Sequence, residues 1–337
     1  MTEIREGADE VENGALMNRL AGVARDALRQ YDVSPDASIS LLDVSENATF
    51  RVDGTDGSTV ILRVHRLNYH SKKAINSEIS WLDALRKDAG VRTPAPVASI
   101  NGERVVLGRD GETGEQRSCA LFEFLPGTAP TEDDVVNFEQ LGEVTARMHL
   151  HSRIWKRPAG FTRFSWDLDA AFGEQPRWGR WRDAPGVDTE ELKILSRLES
   201  KISQRLRHYG MSPERFGLVH ADTRLANLLV DGGNVSVIDF DDCGFSWFLY
   251  DLGTAVSFFE EKPHVPELID HWLTGYRRVA RLSGRDEREI WTFILYRRLL
   301  LAAWIGSHST VATAKELADH YVGDSCILAE SYLTVMK

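Results

Sequence analysis

The stretch GLVHADTRLANLLVDGGNVSVIDFDDCGFSWFLYDLG, residues 217–253, decides how the rest of the chain is read. Within it, Leu228–Val230 and Val235–Phe240 are two short apolar runs joined by Asp231-Gly232-Gly233-Asn234, a strong hairpin turn. Pairing Val230 with Val235 and counting back along both strands sets Asn227 opposite Ile238, beside Asp239. Both polar side chains then sit at the open end of the hairpin, about 5–8 Å apart. Asp222 precedes Asn227 by one loop and opens onto the same place. An amide oxygen with a carboxylate is hard-oxygen chemistry, suited to Mg²⁺ whose shell is completed by water and phosphate. Asp222 is placed to accept a proton from an attacking hydroxyl. Single Asp and Asn residues in loops are usually turn formers or caps. The joint pattern of His-x-Asp-x-x-x-x-Asn, a hairpin and Ile-Asp-Phe is what points to chemistry.

Upstream, the chain is sheet-rich. In residues 58–66, Val60, Leu62 and Val64 share one face while Ile61, Arg63 and His65 share the other. Residues 104–109 and 117–124 read as two further strands. Between them, Ile75, Ile79, Leu82 and Leu85 follow helical spacing. After Phe124-Leu125-Pro126-Gly127 the pattern turns helical: Phe138, Leu141, Thr145 and Met148 form one stripe, and 190–208, 264–282 and 287–306 read as helices. The expected organisation is α+β. A small sheet-based part with a helix, preceded by an N-terminal helical segment, covers 1–124, and a larger, mainly helical part covers 125–337. Residues 152–187 are irregular and rich in Trp, Arg and Pro. Trp166, Trp178 and Trp181, with Asp167 and Asp169 beside them, could cage a cationic amine. Packing of a long loop is the plainer reading.

Charge narrows the partners. Of 337 residues, Lys and Arg number 40 and Asp and Glu 51, a formal net charge of −11 without a basic run. That balance disfavours nucleic acid and anionic membranes. Three scattered cysteines have no metal-ligand spacing. The acidic N-terminus lacks the apolar core of a signal peptide, and LLLAAWIG at 299–306 is too short to span a bilayer. A cytoplasmic enzyme is expected.

HADTRLAN, VIDFDD and YDLG together resemble the aminoglycoside phosphotransferase and choline kinase-like family, nearest its homoserine kinase-like and stress-response kinase branch. The resemblance runs from residue 40 to residue 310 and is strongest across 217–253. It implies a bilobal protein-kinase-like fold and an ATP- and Mg²⁺-dependent transfer of phosphate to a hydroxyl. Asp222 would orient or deprotonate that hydroxyl, Asn227 and Asp239 would hold the metal with Asp241 as a further ligand, and Asp251 would brace the loop. His220 would be structural. Arg63 stands where many relatives have a phosphate-holding Lys, with Glu78 to position it. SENATFRV at 45–52 takes the place of the kinase glycine loop, so Asn47, Ala48 and Thr49 would cover the phosphates. FEFLPG at 122–127 resembles the hinge, whose backbone at Glu123 and Leu125 would bind adenine.

One departure stands out. Thr223-Arg224-Leu225-Ala226 replaces the segment found in many antibiotic-modifying relatives, which weakens that reading. Arg224 takes the place of a phosphate-contacting Lys in protein kinases and would help neutralise the transferring phosphate. Small molecules such as amino alcohols, hydroxy amino acids, aminoglycosides or sugars are the expected acceptors. Protein Ser/Thr residues are an alternative. The residues between Asp239 and Asp251 are too few for a long activation loop, which favours the small acceptor. An inactive nucleotide-binding module, or a metal hydrolase built on His220, Asp222 and Asp239, remain as further readings.

Overall fold

Alternating apolar residues in the first half of the chain close a six-stranded antiparallel sheet. Its strands are β1 (Ser38–Val44), β2 (Ala48–Asp53), β3 (Thr59–Val64), β4 (Pro96–Val97), β5 (Val106–Arg109) and β6 (Gln116–Glu123). They run in the order β1-β2-β3-β6-β4, with β5 also paired to β6. The computed structural model describes residues 2–44 and 46–336 and, for residues 2–13, the backbone alone. Ser45, in the turn that takes the place of the glycine loop, lies outside the described residues, as do the side chains of the acidic N-terminal stretch.

Helix α1 (Thr2–Leu28) covers one face of this sheet: Leu20, Val23, Ala24 and Ala27 pack with Phe50, Val52, Leu62 and Val64. Arg63, one position out of phase, therefore points to the opposite face and meets α2 (Lys72–Asp88). The helical spacing read in the sequence is the buried stripe of α2, with Ile75, Ile79, Leu82 and Leu85 all buried.

Two compact units make up the described chain: residues up to 84 with 93–125 and 158–162, and residues 85–92 with 126–157 and 163 onward. The second unit contains α3 (Val135–Ile154), α4 (Leu168–Phe172), α5 (Thr189–Tyr209), α6 (Tyr250–Ala255), α7 (Val265–Val279), α8 (Gly284–Glu287), α9 (Ile290–Ser307), α10 (Ala312–Leu317) and α11 (Tyr321–Val335). It also contains two antiparallel pairs, β7 (Phe216–Val219) with β10 (Gly244–Trp247) and β8 (Leu228–Asp231) with β9 (Asn234–Val237). Helix α9 is apolar nearly all round and is buried accordingly, so LLLAAWIG is core. Among the described residues, no helix is long and apolar enough to cross a membrane.

Helices α3 and α7 touch through glycines. A Cβ on Gly142 would overlap the Trp272 carbonyl, and one on Gly275 would overlap the Glu139 carbonyl. Both obstacles are backbone in the facing helix, which no rotamer change can move. Gly275→Ala should therefore destabilise the protein by about 1–3 kcal/mol. Gly323→Ala, in α11 with no atom near the added methyl, should be neutral or stabilising by up to about 1 kcal/mol. Thermal unfolding of the two variants reads the difference, and equal midpoints would refute the close approach.

Candidate active site

The hairpin forms as its sequence dictates. Asp231 pairs with Asn234 across a two-residue turn in which Gly232 (φ 54°) and Gly233 (φ 79°) both occupy the left-handed region. Val230 lies opposite Val235, and the Ile238 N–H donates to the Asn227 carbonyl at 2.9 Å. Asn227 and Asp239 thus flank the hairpin's open end. The Asn227 amide nitrogen donates to the Asp222 carbonyl at 2.9 Å and to Asp222 Oδ2 at 2.6 Å, so the amide oxygen is the atom that could face a cation. Asp239 is exposed and sits at φ 57°, while Asp241 is buried and its N–H faces Asp239 Oδ1 at 3.4 Å. Among the described residues, no group of three or more His, Cys, Asp or Glu side chains could hold a metal. One amide oxygen and one or two carboxylates fit a hard ion that keeps water and phosphate in its shell, rather than zinc.

The loop before the hairpin is held from behind. Asp251 at the start of α6 accepts the Ala221 N–H at 2.7 Å and the His220 N–H at 3.2 Å. His149 of α3 lies 3.0 Å from the same carboxylate through Nε2, and its Nδ1 lies 3.0 Å from the Tyr276 hydroxyl of α7. Thr223 Oγ1 donates to the Asp251 carbonyl at 2.7 Å. Ala221 takes φ 68°, a conformation costing an alanine about 1–2 kcal/mol. Strain of that kind persists only where neighbouring contacts determine it, and Asp251 supplies them. His220 closes the loop onto the hairpin: Nε2 faces the Ile238 carbonyl at 3.0 Å, and Nδ1 accepts the Asp222 N–H at 3.2 Å. With both nitrogens engaged, His220 is structural, and the hydrolase reading loses its histidine ligand.

Asp222 is buried with both oxygens engaged. Arg297 Nη2 donates to Oδ1 at 2.6 Å, while Arg224 Nε donates to Oδ2 at 3.1 Å beside the Asn227 amide. Burial alone would push the Asp222 carboxyl up. The guanidiniums of Arg224 and Arg297 outweigh it and hold the group below its ordinary value. Arg224 gains in the same way: the charge of Asp222 raises it against burial, with Asp239 adding to the effect.

In the first unit, Arg63 and Glu78 form an ion pair through Nη2 and Oε1, both side chains being buried. The Phe122 ring lies 5.2 Å from the guanidinium carbon. Thr49 is the cross-strand neighbour of Arg63 and shares its face. The other two residues of that turn have structural duties. Asn47 Oδ1 accepts the Arg66 N–H at 3.0 Å, and the Ala48 methyl is part of the sheet core. At 122–127, the Glu123 N–H donates to the Ala95 carbonyl at 2.8 Å. Glu123 can therefore offer adenine only its carbonyl, while Leu125 ends this unit.

The amine-cage reading of the Trp-rich segment is overturned. Trp166, Trp178 and Trp181 are 0%, 4% and 1% exposed, inside the large helical core, and Asp167 caps α4 through the Ala170 N–H. The segment serves the site differently. Arg163 Nε donates to the Cys243 carbonyl at 2.6 Å, its Nη2 bonds the Asp241 carbonyl, and Trp166 Nε1 donates to the Asp242 carbonyl at 2.8 Å. Three donor groups from two side chains thus fix the backbone just after Asp239. Arg163 and Arg297 were both missed in the sequence. The available signal for Arg297 was Tyr296-Arg297-Arg298-Leu299 inside the most apolar helix, since a buried arginine demands a partner.

A family model described as the phosphotransferase enzyme family matches residues 39–291. The chain is 45% identical to a solved microcompartment-associated aminopropanol kinase, with a TM-score of 0.86 and coverage of 93% of this chain and 98% of that one. Amicoumacin kinase of Bacillus subtilis (strain 168) is 28% identical over 292 residues, covering 83% of this chain and 82% of its own. Homoserine kinase of Gluconobacter oxydans (strain 621H) is 25% identical over 288 residues, covering 81% and 83%.

The brace behind the loop makes a stability prediction. Asp251→Ala leaves two buried N–H groups and an imidazole unanswered, so it should cost about 3–5 kcal/mol. Asp239→Asn, at an exposed position where Asn tolerates the same backbone, should stay within about 0.5 kcal/mol. Urea unfolding measures both, and a small loss in Asp251→Ala would refute the bracing role.

Proposed function

The chain belongs to the phosphotransferase enzyme family and is a kinase acting on a small-molecule hydroxyl; from that premise we propose that ATP is the donor, Mg²⁺ the metal and a small amino alcohol the acceptor. The observation that carries the acceptor is the 45% identity to the aminopropanol kinase across nearly the whole of both chains. The shortness of the stretch from Asp239 to Asp251 supports a small molecule over a protein acceptor.

In this reading, Asp222 receives the acceptor's proton. Asn227, through its amide oxygen, and Asp239 hold the metal, with Asp241 behind them. The metal supplies charge neutralisation at the phosphate oxygens. Arg63 contacts phosphate and Glu78 fixes its direction. Arg224, a third exposed and with Asp239 nearby, turns from Asp222 toward the transferring phosphate. Thr49 lies beside Arg63 on the phosphate side, and the backbone at Glu123 and Leu125 holds adenine.

Phosphate transfer from ATP across a panel of amino alcohols, homoserine, sugars and aminoglycosides tests the acceptor. The highest kcat/KM should fall to an aminopropanol or a close amino alcohol. A preference for homoserine or an aminoglycoside would overturn that choice. Asp222→Asn should bind nucleotide yet lose about 10²–10⁴-fold in kcat. Asn227→Ala and Asp239→Ala should need more Mg²⁺, the latter more strongly because it removes charge, and an unchanged metal titration in both would sink the hairpin-end site. Arg63→Lys should keep part of the activity and Arg63→Ala much less, because both carry charge but only Arg forks between carboxylate and phosphate.

A further inference from the structure

Asp222 is gripped by two arginines of opposite character. The Arg224 side chain is 33% exposed, whereas that of Arg297 is 3% exposed and comes from α9, 75 residues away. Arg297 is tied down at every corner. Besides Asp222 Oδ1 at 2.6 Å, it donates through Nη1 to the Tyr250 hydroxyl at 3.1 Å and the Ala221 carbonyl at 3.4 Å, and through Nε to Ser257 Oγ at 3.3 Å. The Trp178 ring lies 5.2 Å from its guanidinium carbon. Four of its five N–H groups are thus engaged within the protein, so it is not a fork open to a substrate anion. It cannot follow a ligand in or out.

The two oxygens of Asp222 are therefore not equivalent. Oδ1 rests on a fixed, buried cation. Oδ2 accepts from the Asn227 amide nitrogen, a bond that a metal on the amide oxygen leaves in place, and from Arg224, the partner that turns to the phosphate in the proposed reaction. We propose that Arg297 is a positioning residue that pins Oδ1 of Asp222, so that Oδ2 is the oxygen that takes the acceptor's proton. This rests on Asp222 being the base. As the acceptor oxygen bonds to the γ-phosphorus, its O–H bond breaks and the proton passes to Oδ2. The bond to the leaving oxygen breaks with its electron pair going to ADP. Arg297 stays bound to Oδ1 throughout and keeps the carboxylate from rotating.

Steady-state transfer from ATP to the acceptor ranked first in the panel, with unfolding midpoints alongside, tests this. Arg297→Met should lower kcat about 10²-fold, the scale of a 1 Å misplacement, with KM for ATP within about two-fold of wild type. Guanidinium ion should restore part of the activity of Arg297→Ala and none to Asp222→Asn. If the Met and Ala variants do not fold, Arg297→Lys decides: it keeps the charge and loses the fork, and kcat should fall about ten-fold with the ATP KM unmoved. Wild-type kcat in Arg297→Met or Arg297→Lys would overturn the proposal. So would a loss in Arg297→Ala that guanidinium does not relieve and that tracks a lowered unfolding midpoint. Arg297 variants at wild-type kcat beside an inactive Asp222→Asn would remove Arg297 alone, whereas full turnover by Asp222→Asn would remove the base itself.

Discussion

A carboxylate with no access to water organises the larger unit. Asp251 accepts the N–H groups of His220 and Ala221 and meets the His149 imidazole, which reaches Tyr276 on a further helix. A buried carboxylate is tolerated only when donors surround it. Asp251 accordingly ties three helices, α3, α6 and α7, to one loop. The left-handed Ala221 exists because of that grip, and the direction of Asp222 follows from Ala221. The close glycine-to-backbone contact of α3 with α7 keeps His149 and Tyr276 within reach of each other.

Asp222 needs a different balance, because a base in the proposed reaction has to stay ionised and yet remain available. Its two arginines satisfy both demands by differing in burial. Arg297 is a permanent counter-charge within the core, and Arg224 is an adaptable one near solvent. The neighbouring Arg298 shows that α9 can carry such cations: it pairs with Glu260 at 2.5 Å and bonds Ser325 at 2.8 Å, fully buried. A chain of net charge −11 has thus placed several of its cations inside, where they hold carboxylates and backbone carbonyls in position. Such pairs add little to stability compared with apolar packing, and their value here is direction.

The Trp-rich segment illustrates how one composition serves two readings. Trp, Arg and Asp close together suit an amine cage and a packed loop equally well. Burial separates the two, and burial is set in part by α9 and β10, which lie far away in sequence. Residues Asn47 and Ala48 make a similar point. Their place in the turn was legible, but their contacts with Arg66 and the sheet core were not.

What the sequence by itself determined was everything governed by short-range periodicity and turn chemistry. The two-residue spacing of strands and the Gly232-Gly233 turn left one register for the hairpin, and that register placed Asn227 and Asp239 together. Alternation along β3 set Arg63 on one face and the period of α2 set Glu78 at the border of its apolar stripe, while their pairing followed from the family resemblance and is present in the structure. Tertiary structure alone decided which charges from distant segments converge: Arg297 on Asp222, Arg163 on the backbone after Asp239, and His149 on Asp251. The physical reason is that spacing constrains only neighbours within a turn or a strand pair. A buried arginine announces that it needs a partner, but its choice among 51 acidic residues depends on how the helices pack.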